Sequence, residues 1–138
     1  MKGNNIRVLM CCSDVKTYKG GMVSVVKNYL SWPNWRHVEI QFVATHKEGS
    51  KIDKILYYAK AYRKIKALLR SGKIDLAHLH MAEYGSFYRK AWIADLCRKY
   101  HVPVVIHHHG ARFETFYDAL SPKKKAYVEK VLTGADAN

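Results

Sequence analysis

Five histidines carry the densest chemistry in the sequence: His78 and His80 in LAHLH, and His107, His108 and His109 in VVIHHHG. If each segment is a strand, alternate residues share a face, so His78 pairs with His80 and His107 with His109, and His108 points the other way. Four imidazoles at one sheet edge, with Cys11 or Cys12 beside them, would be a donor set for zinc or a similar ion. Ligating imidazoles are usually held by carboxylates, and the nearest acids, Glu83 and Glu114, have no evident place in such a shell. The sequence therefore assigns no metal and no cofactor. The plainer alternative buries most of these histidines against backbone groups and leaves one or two facing a ligand.

A second group is Gly20 with Gly21, between an apolar run and an amphipathic segment. At a strand-to-helix junction, residues without Cβ let backbone amides come close to a phosphate, and the positive helix end favours it. A simple turn explains the pair equally well. GxGxxG and GxxxxGK are both missing, so neither a dinucleotide fingerprint nor a P-loop is claimed.

The elements that must hold these groups alternate. Ile6 to Cys12 reads as the first strand, Met22 to Trp32 as a helix ending before Pro33, and Val38, Ile40 and Phe42 as an edge-type strand. Ile55, Leu56, Ala59, Tyr62, Ile65 and Leu69 repeat at three and four, which predicts one long helix from Ile52 to about Ser71, closed by Gly72. Ile74 to His80 is the third strand, Tyr84 to Ser86 a loop, and Phe87 to Tyr100 the next helix. Val102 to Phe113 is expected to be a central parallel strand, buried on both faces, with its polar end where ligands bind in open α/β sheets. Ser121 and Pro122 open a last helix running to about Leu132. The predicted fold is α/β: a Rossmann-like, three-layer α/β/α domain with a mainly parallel sheet.

Composition narrows the partners. A net charge of +13 on 138 residues calls for an anion: a phosphorylated small ligand, a membrane surface or nucleic acid. Lys51 to Lys73 holds eight Lys or Arg against Asp53, so seven of the net positive charges lie in the segment that contains the long helix. Of these partners, attraction to an anionic membrane surface is preferred over nucleic acid. Three cysteines without CxxC spacing fit reduced thiols in a cytoplasmic setting, and Val8 to Cys12 is too short for a signal core or a membrane span.

Four segments together resemble one family: KGGMVSVVKNYL, IDLAHLHMAEYGSFYRK, VPVVIHHHGARFETFY and LSPKKKAYVEKVLTGADAN. In order and spacing they are similar to the amino-terminal, acceptor-side domain of the GT-B fold glycosyltransferases of family 4, bacterial enzymes of capsule, exopolysaccharide and cell-envelope assembly. The resemblance implies half of a GT-B fold and a retaining, usually metal-independent transfer of sugar from a nucleotide diphosphate sugar to a glycan or lipid-linked acceptor. It implies that Gly20 and Gly21 approach the donor and that His109, with Gly110, lies beside the transferring sugar. His80, Glu83, Tyr84 and Ser86 would help hold the acceptor, and Arg112 joins them by position and charge. The family's second, nucleotide-binding domain has no counterpart in these residues, so the chain is expected to be a truncated domain or one part of a split enzyme, inactive alone and prone to self-association. The place of work would be the cytoplasm, peripherally at the inner membrane face. The competing readings are a non-catalytic basic module for nucleic acid or anionic lipid, and a metal-dependent hydrolase using the histidines.

Overall fold

A computed structural model describes residues 5–138. The elements run β1 (Ile6–Cys12), α1 (Gly21–Ser31), β2 (Val38–Ala44), α2 (Lys51–Arg70), β3 (Leu76–Met81), α3 (Gly85–Lys99), β4 (Val104–His108), α4 (Phe113–Asp118) and α5 (Pro122–Thr133). The four strands form one sheet in the order β2-β1-β3-β4, and every pairing is parallel. Parallel neighbours need crossovers, and the helices supply them, packing on both faces in three Rossmann-like layers.

The two faces differ. Leu9 and Cys11 of β1, Leu79 and Met81 of β3, and Ile106 of β4 join the large core under α2, α3, α4 and α5. On the opposite face, Met10 and Cys12 pack with Val23 and Val26 of α1 in a smaller cluster. Strand register places Met10 beside His78 and His80 beside His107, so the histidines belong to this second, thinly covered face.

Local signals account for most boundaries. Ser50 accepts a hydrogen bond from the Asp53 amide while the Asp53 carboxylate accepts from Ser50, a capping box that starts α2 one residue earlier than its apolar pattern suggests. Gly72, at φ 66°, lets the chain leave α2 in the left-handed region. Pro122 sits in the first turn of α5 after an extended Ser121, although the Ser121 side chain makes no capping bond. At the bottom of the sheet Arg7 donates to both oxygens of Asp75 at 2.9 and 2.8 Å, tying β1 to the start of β3.

Three expectations change. The run Val102 to Phe113 is not a central strand: β4 spans Val104–His108 and is the outermost of the four. It is apolar because both of its faces are covered, not because it has a full strand on each side. Its outer edge is closed by Ala137, whose carbonyl accepts from Ile106 at 2.9 Å, and by the Asp136 carboxylate, which accepts from the Val104 amide at 2.8 Å. Phe113, read as the tail of that stretch, instead opens the short helix α4, which seats Phe116 in the core. The stripe assigned to α2 also splits: Ile65 and Leu69 are buried and Tyr62 is half-buried, but Ala59 is exposed and Ile55 and Leu56 are 67% and 63% exposed, while the buried alanine is Ala61, outside the stripe.

Candidate functional site

All four strands point their carboxyl ends to one edge, so the loops β1–α1, β3–α3 and β4–α4 converge there. The histidines line this edge on the α1 face. His80 Nδ1 is 2.9 Å from His109 Nε2, and His78 Nε2 is 3.4 Å from His107 Nδ1. The rings stack in two columns, His78 on His80 at 4.3 Å between centroids and His107 on His109 at 4.2 Å, with Tyr29 of α1 edge-on to His78. His108 turns the other way, as strand alternation demands, and packs on Phe113.

Burial favours the neutral form of His78, His80 and His109. It lowers the pKa of His78 to about 4 and that of His80 to about 3, and neighbouring imidazoles push in the same direction. His109 is lowered by burial first, then by His107 and His108. His80 is fully buried and its Nε2 has no hydrogen-bond partner. An orphaned buried N–H is costlier than an orphaned lone pair, which assigns the His80 proton to Nδ1 and makes His109 Nε2 the acceptor. The Nδ1–H of a neutral His109 is then available as a donor to a ligand.

The loops behind the array touch one another. The His109 amide donates to the Met81 carbonyl at 2.8 Å. A Cβ on Gly110 would collide with Glu83 Oε2, so this glycine is what allows the two loops to close. That Glu83 oxygen is buried without a partner, aimed at the Gly110 backbone. Tyr84 holds φ at 55°, an uncommon value for a side chain of its size, and its half-exposed ring packs on Phe116. Gly85 and Ser86 are in the first turn of α3 and not in a loop; Ser86 Oγ accepts from the Ala82 amide at 3.1 Å and from Lys90 Nζ at 3.3 Å.

His80 with His109 and Glu83 with Gly110 are therefore two contacts between the same pair of strand ends and loops, Ser86 is tied to the first loop through the Ala82 amide, and Tyr84 borders them. Gly20 and Gly21 stand at the same sheet edge, at the start of α1, where a Cβ would meet nothing within 4 Å. That is open space which a ligand could occupy, without contact to the histidines. Arg112 is exposed before α4, and its carbonyl accepts from Phe116.

His78 and His107, expected only as donors for a metal, join the acceptor-side residues in the same array, and Lys90 is the one group that sequence reasoning missed. With His80, His78 and His107 offer nitrogens within 4.8 Å of one another, a donor set suited to zinc or copper. Lys90 is fully buried beneath Ser86, its pKa lowered to about 8 chiefly by burial. Its signal was present as a lysine on the inward stripe of α3, between Phe87 and Ala94.

No family model matches the chain, and no curated protein or solved structure matches it. No helix among the described residues is long and apolar enough to cross a membrane.

Proposed function

We propose that this chain is the acceptor-side domain of a retaining glycosyltransferase, moving sugar from a nucleotide diphosphate sugar to a glycan or lipid-linked acceptor. The observation that carries the reading is the His80–His109 pair at the carboxyl edge, closed from behind by Glu83 against Gly110. A neutral His109 held by His80 suits donation to a sugar hydroxyl, where a fixed donor stabilises charge as it develops. Gly20 and Gly21 suit the diphosphate, whose charge the start of α1 would meet with free amides. The departing diphosphate also needs a nucleotide-binding wall, which these elements do not provide.

Two results follow. The purified polypeptide alone gives no steady sugar transfer from any nucleotide sugar. In an enzyme that joins this domain to a donor-binding partner, His109→Ala lowers kcat by roughly 10²–10³, the cost of one lost transition-state donor. Unchanged transfer by the folded variant would end the assignment.

A second reading rests on the three nitrogens of His78, His80 and His107. Neutral imidazoles are the form that ligates, and the three could hold one divalent ion with an open position for water. Elemental analysis of the purified chain decides it: near-stoichiometric zinc or copper, lost in His107→Ala, supports a metal centre, and a metal-free protein after growth with added zinc removes it.

A further inference from the structure

The first turns of α2 carry three large aliphatic side chains outward: Ile52 is 69% exposed, with Ile55 and Leu56 close behind. Beside them, between α2 and α3, runs an open groove of about 960 Å³, the upper end of the roughly 300–1,000 Å³ of ligand clefts. Ile55, Tyr58, Tyr62, Tyr88 and Trp92 make its walls almost wholly apolar. Its charged lining is of one sign, Lys54, Arg63 and Arg89, with no carboxylate among the lining residues. Lys54 is paired with Glu48 at 3.4 Å, whereas the Arg89 guanidinium, which lines the groove, has no carboxylate partner among the described residues.

A half-buried guanidinium without a carboxylate partner at the side of an apolar groove suits an anion carrying a hydrocarbon chain. Tyrosine and tryptophan along the rim suit the boundary between headgroups and acyl chains, and the stems of Lys54 and Arg63 can lie on apolar surface while their charges reach phosphate. We infer that the α2–α3 groove is a binding site for an anionic phospholipid of a membrane surface, its phosphate on Arg89 with Lys54 and Arg63 and one acyl chain along Ile55, Tyr62 and Trp92. The exposed aliphatics of α2 enter the headgroup layer beside it. This site is separate from the histidine array and needs no sugar donor, so it stands or falls independently of sugar transfer. It is also narrower than attraction of a basic helix to negative charge, because it selects one side of α2.

The test uses the full chain with Trp32→Phe and Trp35→Phe, leaving Trp92 as the only tryptophan, and vesicles of phosphatidylglycerol or of phosphatidylcholine. With phosphatidylglycerol, Trp92 emission shifts to the blue and is quenched by brominated acyl chains; with phosphatidylcholine it is not. Arg89→Gln weakens binding by about tenfold, the loss of one charge-assisted hydrogen bond. Ile55→Glu, at an exposed position that cannot unfold the protein, abolishes the quenching. Lys60→Gln with Lys64→Gln, which line a different groove between α2 and β2, weakens binding less than Arg89→Gln does. Equal binding to both vesicles, a larger loss from the Lys60 and Lys64 changes than from Arg89→Gln, or Trp92 quenching by RNA but not by lipid would each overturn the site.

Discussion

Lys90→Met is expected to make this protein more stable at pH 7, by up to roughly 3 kcal/mol. A fully buried ammonium whose one hydrogen bond is to Ser86 Oγ, at 3.3 Å, has lost water on all sides without gaining a carboxylate. Burial, with Arg89 adding repulsion, lowers its pKa from 10.5 to about 8. The sign follows from linkage. Below pH 8 the folded and unfolded chains both hold the proton, and the fold carries the whole cost. Between pH 8 and 10.5 the fold releases the proton while the unfolded chain keeps it, so stability rises with pH. Cys11 and Tyr58, whose pKa values burial raises, act against this above about pH 9, because only the unfolded chain ionises them. They do so equally in both proteins. The difference in unfolding free energy between variant and wild type therefore isolates Lys90, and should be largest at pH 7 and shrink towards pH 10. Denaturant titrations at several pH values measure it. A variant less stable than wild type at pH 7 would show that the ammonium is compensated by contacts beyond Ser86.

Why the fold was so legible is visible in β1 and β3. A parallel strand buried on both faces is largely apolar, so IRVLMCC stands out and LAHLHM is broken only by its histidines, and the amphipathic segments on either side of VEIQFVA supply the crossovers. The alternation in VEIQFVA betrayed an edge, and β2 is one. Strand order is different, because nothing local to VPVVIHHH distinguishes a strand with two neighbours from one whose outer edge is closed by Asp136 and Ala137. The helical stripe of α2 failed for a related reason. Period 3.6 reports which residues share a face, and whether that face meets the core depends on how the neighbouring elements pack, which leaves Ile55 and Leu56 largely exposed. The two histidine pairs followed from alternation alone, but the contact of His80 with His109 depends on the register of β3 and β4, and the closure of Glu83 on Gly110 on the two loops.

The second large effect is acid lability that begins well above the carboxylate range. His78 and His80 have pKa values near 4 and 3 in the fold, against about 6.5 when unfolded. A lowered pKa on a base means that, as pH falls below 6.5, the unfolded chain takes protons that the fold refuses. By pH 4, His80 alone costs about 3 kcal/mol, with a smaller share from the partly exposed His78. That is a large part of the roughly 5–15 kcal/mol holding a domain of ordinary stability together. Asp75, held near 2 by hydrogen bonds from Arg7, contributes only below its ordinary value of 3.8, so the two effects separate on the pH axis. Unfolding titrations from pH 7 to 4, with a chelator present, should show the wild type losing stability steadily through pH 6 and 5. His80→Gln, which keeps a donor for His109 but cannot protonate, should remove a large share of that slope and leave the parts due to His78 and to His46, whose pKa burial also lowers to about 4. Nitrogen NMR gives the matching observation on the ring itself: His80 protonated at Nδ1 and bare at Nε2 down to pH 5. A His80 that takes up a proton near pH 6.5 would mean that the stacked imidazoles are open to water, and the neutral donor on which His109 depends would be lost with them.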